Sequence, residues 1–69
     1  MIKYKYLNCF SRVGGPIADE FMDYPMHLSY DGTTGELNIL FLDMTVDQEE
    51  VETFILSLTG ELPTTKEIL

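Results

Sequence analysis

Eight carboxylates in this 69-residue chain are spaced so that they could act together. Asp19, Glu20 and Asp23 lie in one segment; Asp43, Asp47, Glu49, Glu50 and Glu52 lie in another. Carboxylates held along a rigid small domain can stand in for the phosphates of a nucleic acid. Each Lys or Arg that meets one gains a charge-assisted hydrogen bond. The chemistry is recognition of a basic surface, and these eight acids, with Tyr30 as an aromatic contact, form the candidate partner-binding set. Two plainer explanations compete with it. Net charge keeps small domains soluble and monomeric, and acids in a first helical turn favour the helix dipole by roughly 0.3–1 kcal/mol each. The dipole accounts for Asp47, Glu49 and Glu50. It accounts less well for Glu52, which forms an i, i+3 like-charge pair with Glu49 and has no Lys or Arg four residues on.

Other reactive residues are few. Cys9 and His27, the only cysteine and histidine, could form a thiol nucleophile and its base, but nothing in the sequence places them together. A free cysteine is more often a small core residue. Gly14-Gly15 lacks the Lys-Ser/Thr of a phosphate-binding loop. Asp31-Gly32-Thr33-Thr34-Gly35-Glu36 lacks the alternating oxygen ligands of a Ca²⁺ loop and reads as a hairpin turn. Asp19, Glu20, Asp23 and Asp43 could be offered to a metal, but a solvated face is the default for such acids. No catalytic signature, cofactor or metal is expected.

The charge balance narrows the partners. Twelve acids face four bases, for a net charge of −8, and between Val13 and Thr65 there are eleven acids and no Lys or Arg. Direct binding to nucleic acid or to an anionic membrane needs a basic footprint and is not expected. A basic partner is favoured, because a surface of one sign steers the opposite charge toward it. The N-terminus lacks the apolar core of a signal peptide, and Ile39-Leu40-Phe41-Leu42 is too short to span a bilayer. A lone cysteine and no export signal point to a cytoplasmic location. The chain opens on Met1 and is expected to be complete.

The elements that must carry these residues follow from periodicity. The clearest is a helix within Met44–Gly60. Val51, Phe54, Ile55 and Leu58 recur at i, i+3, i+4, i+7 and share an inward stripe. Thr45 and Asp47 compete as N-cap, with Asp47 favoured; Gly60 suits a left-handed C-cap and Pro63 ends the run. Residues 2–10 read as a strand, with Lys3 and Lys5 on its solvent face, as on a protected sheet edge. Ser11–Gly15 is a break. Pro16 can open a short helix over Ile17–Asp23 with Ile17, Phe21 and Met22 inward; an irregular loop pinned by Phe21 is the alternative. Met26–Asp31 and Leu37–Met44 read as strands joined by the hairpin loop. The second is apolar on both faces through Leu40, Leu42 and Met44, as expected of a covered strand or a dimer surface. The predicted fold is α+β: a three-stranded antiparallel sheet with one long amphipathic helix across it, in a single domain over residues 1–62, with residues 63–69 as a tail.

One local likeness stands out. Phe54-Ile55-Leu56-Ser57-Leu58-Thr59-Gly60-Glu61-Leu62-Pro63 resembles the closing helix and tail of di-haem cytochrome c peroxidases. The Cys-x-x-Cys-His haem attachment of that family is absent, so no haem role carries over.

The functional expectation is a small, acidic, non-enzymatic binding protein: an inhibitor that presents carboxylates to the basic surface of a nucleic-acid-binding protein, as a DNA mimic does. In size and charge it resembles the small acidic phage proteins directed against host restriction or CRISPR systems; no motif carries that likeness. The alternative is a small adaptor, regulatory subunit or homodimer that uses an apolar, tyrosine-rich sheet face.

Overall fold

A computed structural model describes residues 1–10 and 12–69. Ser11, the first residue of the expected break, lies outside the described residues. The elements run β1 (Ile2–Tyr6), α1 (Gly14–Glu20), β2 (Met26–Asp31), β3 (Glu36–Phe41), α2 (Gln48–Thr59) and β4 (Thr65–Ile68). The sheet has four strands in the order β2-β3-β1-β4, and every neighbouring pair is antiparallel. A βαββαβ chain in this spatial order has the split βαβ, or ferredoxin-like, connectivity, which serves many unrelated functions and implies none.

The sheet therefore has four strands where three are expected. The fourth comes from the C-terminal residues that read as a tail, since Thr65-Lys66-Glu67-Ile68 carries no strong apolar alternation. It is held by pairing, with Ile2 opposite Ile68 and Lys5 opposite Thr65. That pairing makes β1 a central strand, although its lysines suit an edge. Both demands are met because only one face of the sheet is covered. Ile2, Tyr4 and Tyr6 are buried, whereas Lys3 and Lys5 point to the open outer face, where Lys5 Nζ meets Glu36 Oε1 at 3.3 Å.

β1 is also shorter than the expected strand. It ends at Tyr6, and Cys9 is buried separately, its N–H donating to Gly35 O at 2.9 Å. Gly35 has φ of 75°, and a Cβ there would meet the Phe10 ring at 2.8 Å, so both the turn and the close approach require glycine. β3 ends at Phe41, so Leu42 and Met44 lie beyond the strand and only Leu40 is an apolar residue on its outer face. α1 begins at Gly14, two residues before Pro16, and ends at Glu20; Ile17 and Phe21 are buried, but Met22 is 75 % exposed.

α2 is twelve residues long, close to the mean for globular helices, so it is not a long one. Its ends match the caps in the sequence. The Asp47 carboxylate accepts from the N–H groups of Glu49 (3.0 Å) and Glu50 (3.3 Å), and Gly60 is left-handed, donating to Leu56 O. Val51 and Ile55 are fully buried and Phe54 partly so, while Leu58 in the last turn stays exposed. The core joins these to Ile2, Tyr4, Leu37, Ile39 and Phe41 of the sheet and to Ile17 and Phe21. Four aromatic rings meet edge-to-face in series: Tyr4 with Phe41 (centroids 6.3 Å apart), Phe41 with Phe21 (5.9 Å) and Phe21 with Phe54 (5.6 Å). They tie two central strands to both helical segments.

Candidate functional site

The candidate surface is the outward side of α2. Because Val51 and Ile55 fix which way the helix faces, the residues at the other helical angles are turned to solvent. Two shallow grooves flank that side. One, of about 550 Å³, is lined by Asp47, Glu49, Glu50, Thr53, Phe54 and Ser57. The other, of about 380 Å³, is lined by Gln48, Glu49, Glu52, Thr53, Leu56, Leu62 and Lys66. Glu49 and Thr53 line both and so stand on the ridge between them.

The expected set divides. Asp47, Glu49 and Glu50 come together around the partly buried Phe54 ring, and all three acids are exposed. Asp19, Glu20 and Asp23 lie exposed on α1 and in the turn after it, and line neither groove. Their segment touches α2 through the Phe21–Phe54 ring contact. Asp43 sits in the β3–α2 connection and accepts from Thr45 N–H at 2.9 Å. That bond, reinforced by the Thr45 side chain, holds its carboxyl below the usual range. Tyr30 is half-buried on β2, packed against the core with its ring beside Gly32. Tyr4, Tyr6 and Tyr24 likewise belong to the helix-covered side, as core or packed against it.

Glu52 differs from the other helix acids. Its Oε2 accepts from Tyr4 Oη at 3.1 Å and from Lys66 Nζ at 3.0 Å. Lys66 Nζ also lies 5.7 Å from the centre of the Tyr4 ring. The sequence gives Glu52 no nearby cation, yet Lys66 reaches it through space because β4 lies against β1. No local spacing rule could reveal a pair fourteen residues apart. Glu52 is therefore part of the joint between β1, α2 and β4. Among the described residues, the carboxylates paired to a cation are Glu36 and Glu52, so Asp47, Glu49 and Glu50 carry unneutralised charge.

The Tyr4–Glu52 contact has a pH signature. Burial pushes the Tyr4 phenol well above its usual range, with the Glu52 charge and hydrogen bond adding to it; burial and then the Glu52 charge do the same to Tyr6. The Tyr6 hydroxyl is buried with no hydrogen-bond partner among the described residues. In the unfolded chain both phenols ionise near pH ~10. Below that pH their contribution to stability is fully present. Above it only the unfolded state releases these protons, so stability falls as pH rises toward the folded-state value. Tyrosinate absorbance from these two rings should therefore appear together with loss of circular dichroism, and Tyr4→Phe with Tyr6→Phe should remove that coupling. Ionisation of both phenols with the fold intact would contradict it.

Cys9 is buried in the core, and burial, then the charge of Glu61, pushes its thiol up. His27 is exposed on the outer side of β2, opposite Leu40, and no hydrogen bond joins it to Cys9. Among the described residues, no three His, Cys, Asp or Glu side chains are grouped to hold a metal ion, and no helix is long and apolar enough to cross a membrane. No protein-family model matches the chain, and no curated protein or solved structure matches it.

Proposed function

We propose that this chain is a non-enzymatic binding protein that acts in the cytoplasm, inhibiting a nucleic-acid-binding protein by occupying its basic surface, in the manner of phage counter-defence proteins. The observation that carries the reading is the groove lined by Asp47, Glu49 and Glu50 around Phe54, where three exposed carboxylates have no cation partner among the described residues. Charges placed this way gain most from Lys and Arg supplied by another molecule. Phe54 adds a ring face over which a guanidinium can lie. The net charge of −8 extends the attraction beyond contact range. The adaptor reading draws less support, since the tyrosines face the core and the outer sheet face offers Leu40 among polar neighbours.

The test is affinity capture from nuclease-treated bacterial lysate with a salt gradient, run beside Glu49→Lys/Glu50→Lys. Among the described residues these two side chains accept no hydrogen bond, whereas Glu52 does. Their reversal therefore costs the fold only the helix-dipole contribution, roughly 0.3–1 kcal/mol for each acid, and circular dichroism checks that the variant is folded. A basic nucleic-acid-binding protein should elute from the wild type at moderate salt and be absent from the variant. Losing two contacts worth about 1.4 kcal/mol each would weaken binding roughly a hundredfold. Identical captures from both proteins would sink the proposal.

A further inference from the structure

The free edge of the sheet at β4 carries a second recognition feature. Met1 and Leu69 exchange backbone bonds, Leu69 N–H to Met1 O at 2.8 Å and the Met1 amino group to Leu69 O at 3.2 Å. Hydrogen-bonded and non-hydrogen-bonded pairs alternate along an antiparallel ladder. From that pair inward, Glu67 faces Lys3 with its main-chain groups, and at the far end of the strand Lys5 O accepts from Thr64 N–H at 2.7 Å. The N–H and C=O of Lys66 and Ile68 therefore point away from β1. β4 is the last strand of the sheet and is exposed throughout, so these groups are open to a further strand. Beside them, on the helix side, lies the 380 Å³ groove with Leu56 and Leu62 in its wall and Glu49 on its rim. Leu62 and Ile68 are 67 % and 60 % exposed.

We infer that β4 receives an extended segment of another protein, rich in Lys and Arg with apolar residues at alternate positions, which adds to the sheet as a fifth strand. The inference rests on the basic-partner reading above and specifies the shape of what is bound. Strand addition draws affinity from main-chain hydrogen bonds and specificity from alternate side chains. One set of those side chains would enter the groove over Leu56 and Leu62. The other would lie on the outer face beside Glu67. A second copy of this chain fits poorly. Directly opposed residues share a face, so a two-fold antiparallel pairing must centre on a residue. The two centres that pair the body of β4 set Glu67 against Glu67 or Lys66 against Lys66, and opposed like charges destabilise a ladder. Two copies would also bring together two net charges of −8.

The probe is a short synthetic peptide of alternating lysine and valine, compared with the same peptide N-methylated at alternate residues to remove its main-chain donors. Amide exchange at Lys66 and Ile68 is followed by NMR. The unmodified peptide should slow both amides, and N-methylation on the pairing side should weaken binding about tenfold, the equivalent of one or two net hydrogen bonds. Ile68→Pro deletes an outward donor that the β1 ladder does not use, and should weaken binding similarly while Glu67 keeps its protection. If both peptides bind equally and the two amides are unmoved, strand addition is wrong while the acidic-surface reading survives. If the amides slow but the lysate capture ignores Glu49→Lys/Glu50→Lys, the edge site stands and that reading fails. Protection that grows with protein concentration in the absence of peptide would overturn the inference in favour of self-pairing.

Discussion

Phe41→Ala should cost the chain about 3–5 kcal/mol, roughly a third of its stability at the least. Phe41 is fully buried, pairs with Ile2 on one side and Met26 on the other, and its ring meets Tyr4 and Phe21 edge-to-face. Truncating a core phenylalanine costs about 3–5 kcal/mol. At roughly 0.05–0.15 kcal/mol per residue, a domain of 69 residues has about 3–10 kcal/mol in all. With Cys9 as its one cysteine, the chain has no internal disulfide to offset the loss. Urea denaturation followed by circular dichroism measures the effect, with Phe54→Ala as the partly buried comparison. A loss below about 1.5 kcal/mol, outside the usual range for such truncations, would mean that the ring series does not anchor the fold.

Glu52→Ala should cost about 1–3 kcal/mol, the penalty for stranding a buried hydroxyl and freeing its cation. The Tyr4 hydroxyl loses its acceptor and Lys66 loses its counter-ion. Glu52→Gln keeps an acceptor for Tyr4 without the charge, so it should recover part of the loss. A cycle with Tyr4→Phe isolates the hydrogen bond; simple additivity of the two changes would show that the bond contributes nothing. Lys66→Ala reports the ion pair alone and should be the milder change, because both partners are about a third exposed. This result bears on function. Reversing Glu52 could abolish binding by loosening β4 and α2, which is why Glu49 and Glu50 are the sharper probes of the acidic surface.

What could be read from the sequence was local. Asp47 and Gly60 mark α2 because caps depend on their own neighbours, and Met26–Asp31 shows its alternation within one segment. The turn around Gly35 is equally self-contained. What could not be read was carried by pairs distant in the chain. β4 is four residues with no apolar periodicity, and it exists because β1 offers it a ladder. The same ladder turned an apparent edge strand into a central one and brought Lys66 to Glu52. The acidic set was visible as composition, but its division was not. Asp47, Glu49 and Glu50 gather around Phe54, while Glu52 is taken into the fold and the α1 acids stand apart.

The β1–β4 ladder also governs how the chain reaches this state. β2 and β3 are neighbours joined by a tight turn, and hairpins form in about 1–10 μs. β1 and β4 must instead find each other across almost the whole chain, with Ile2 opposite Ile68. The entropy of closing so large a loop must be met before the ladder stabilises anything. Folding should thus be slower than for a helical protein of this length, and β4 should arrive late. The step that lays Lys66 against Glu52 is then also the step that creates the open edge, so any surface built on β4 comes into being only when the two ends of the chain have met.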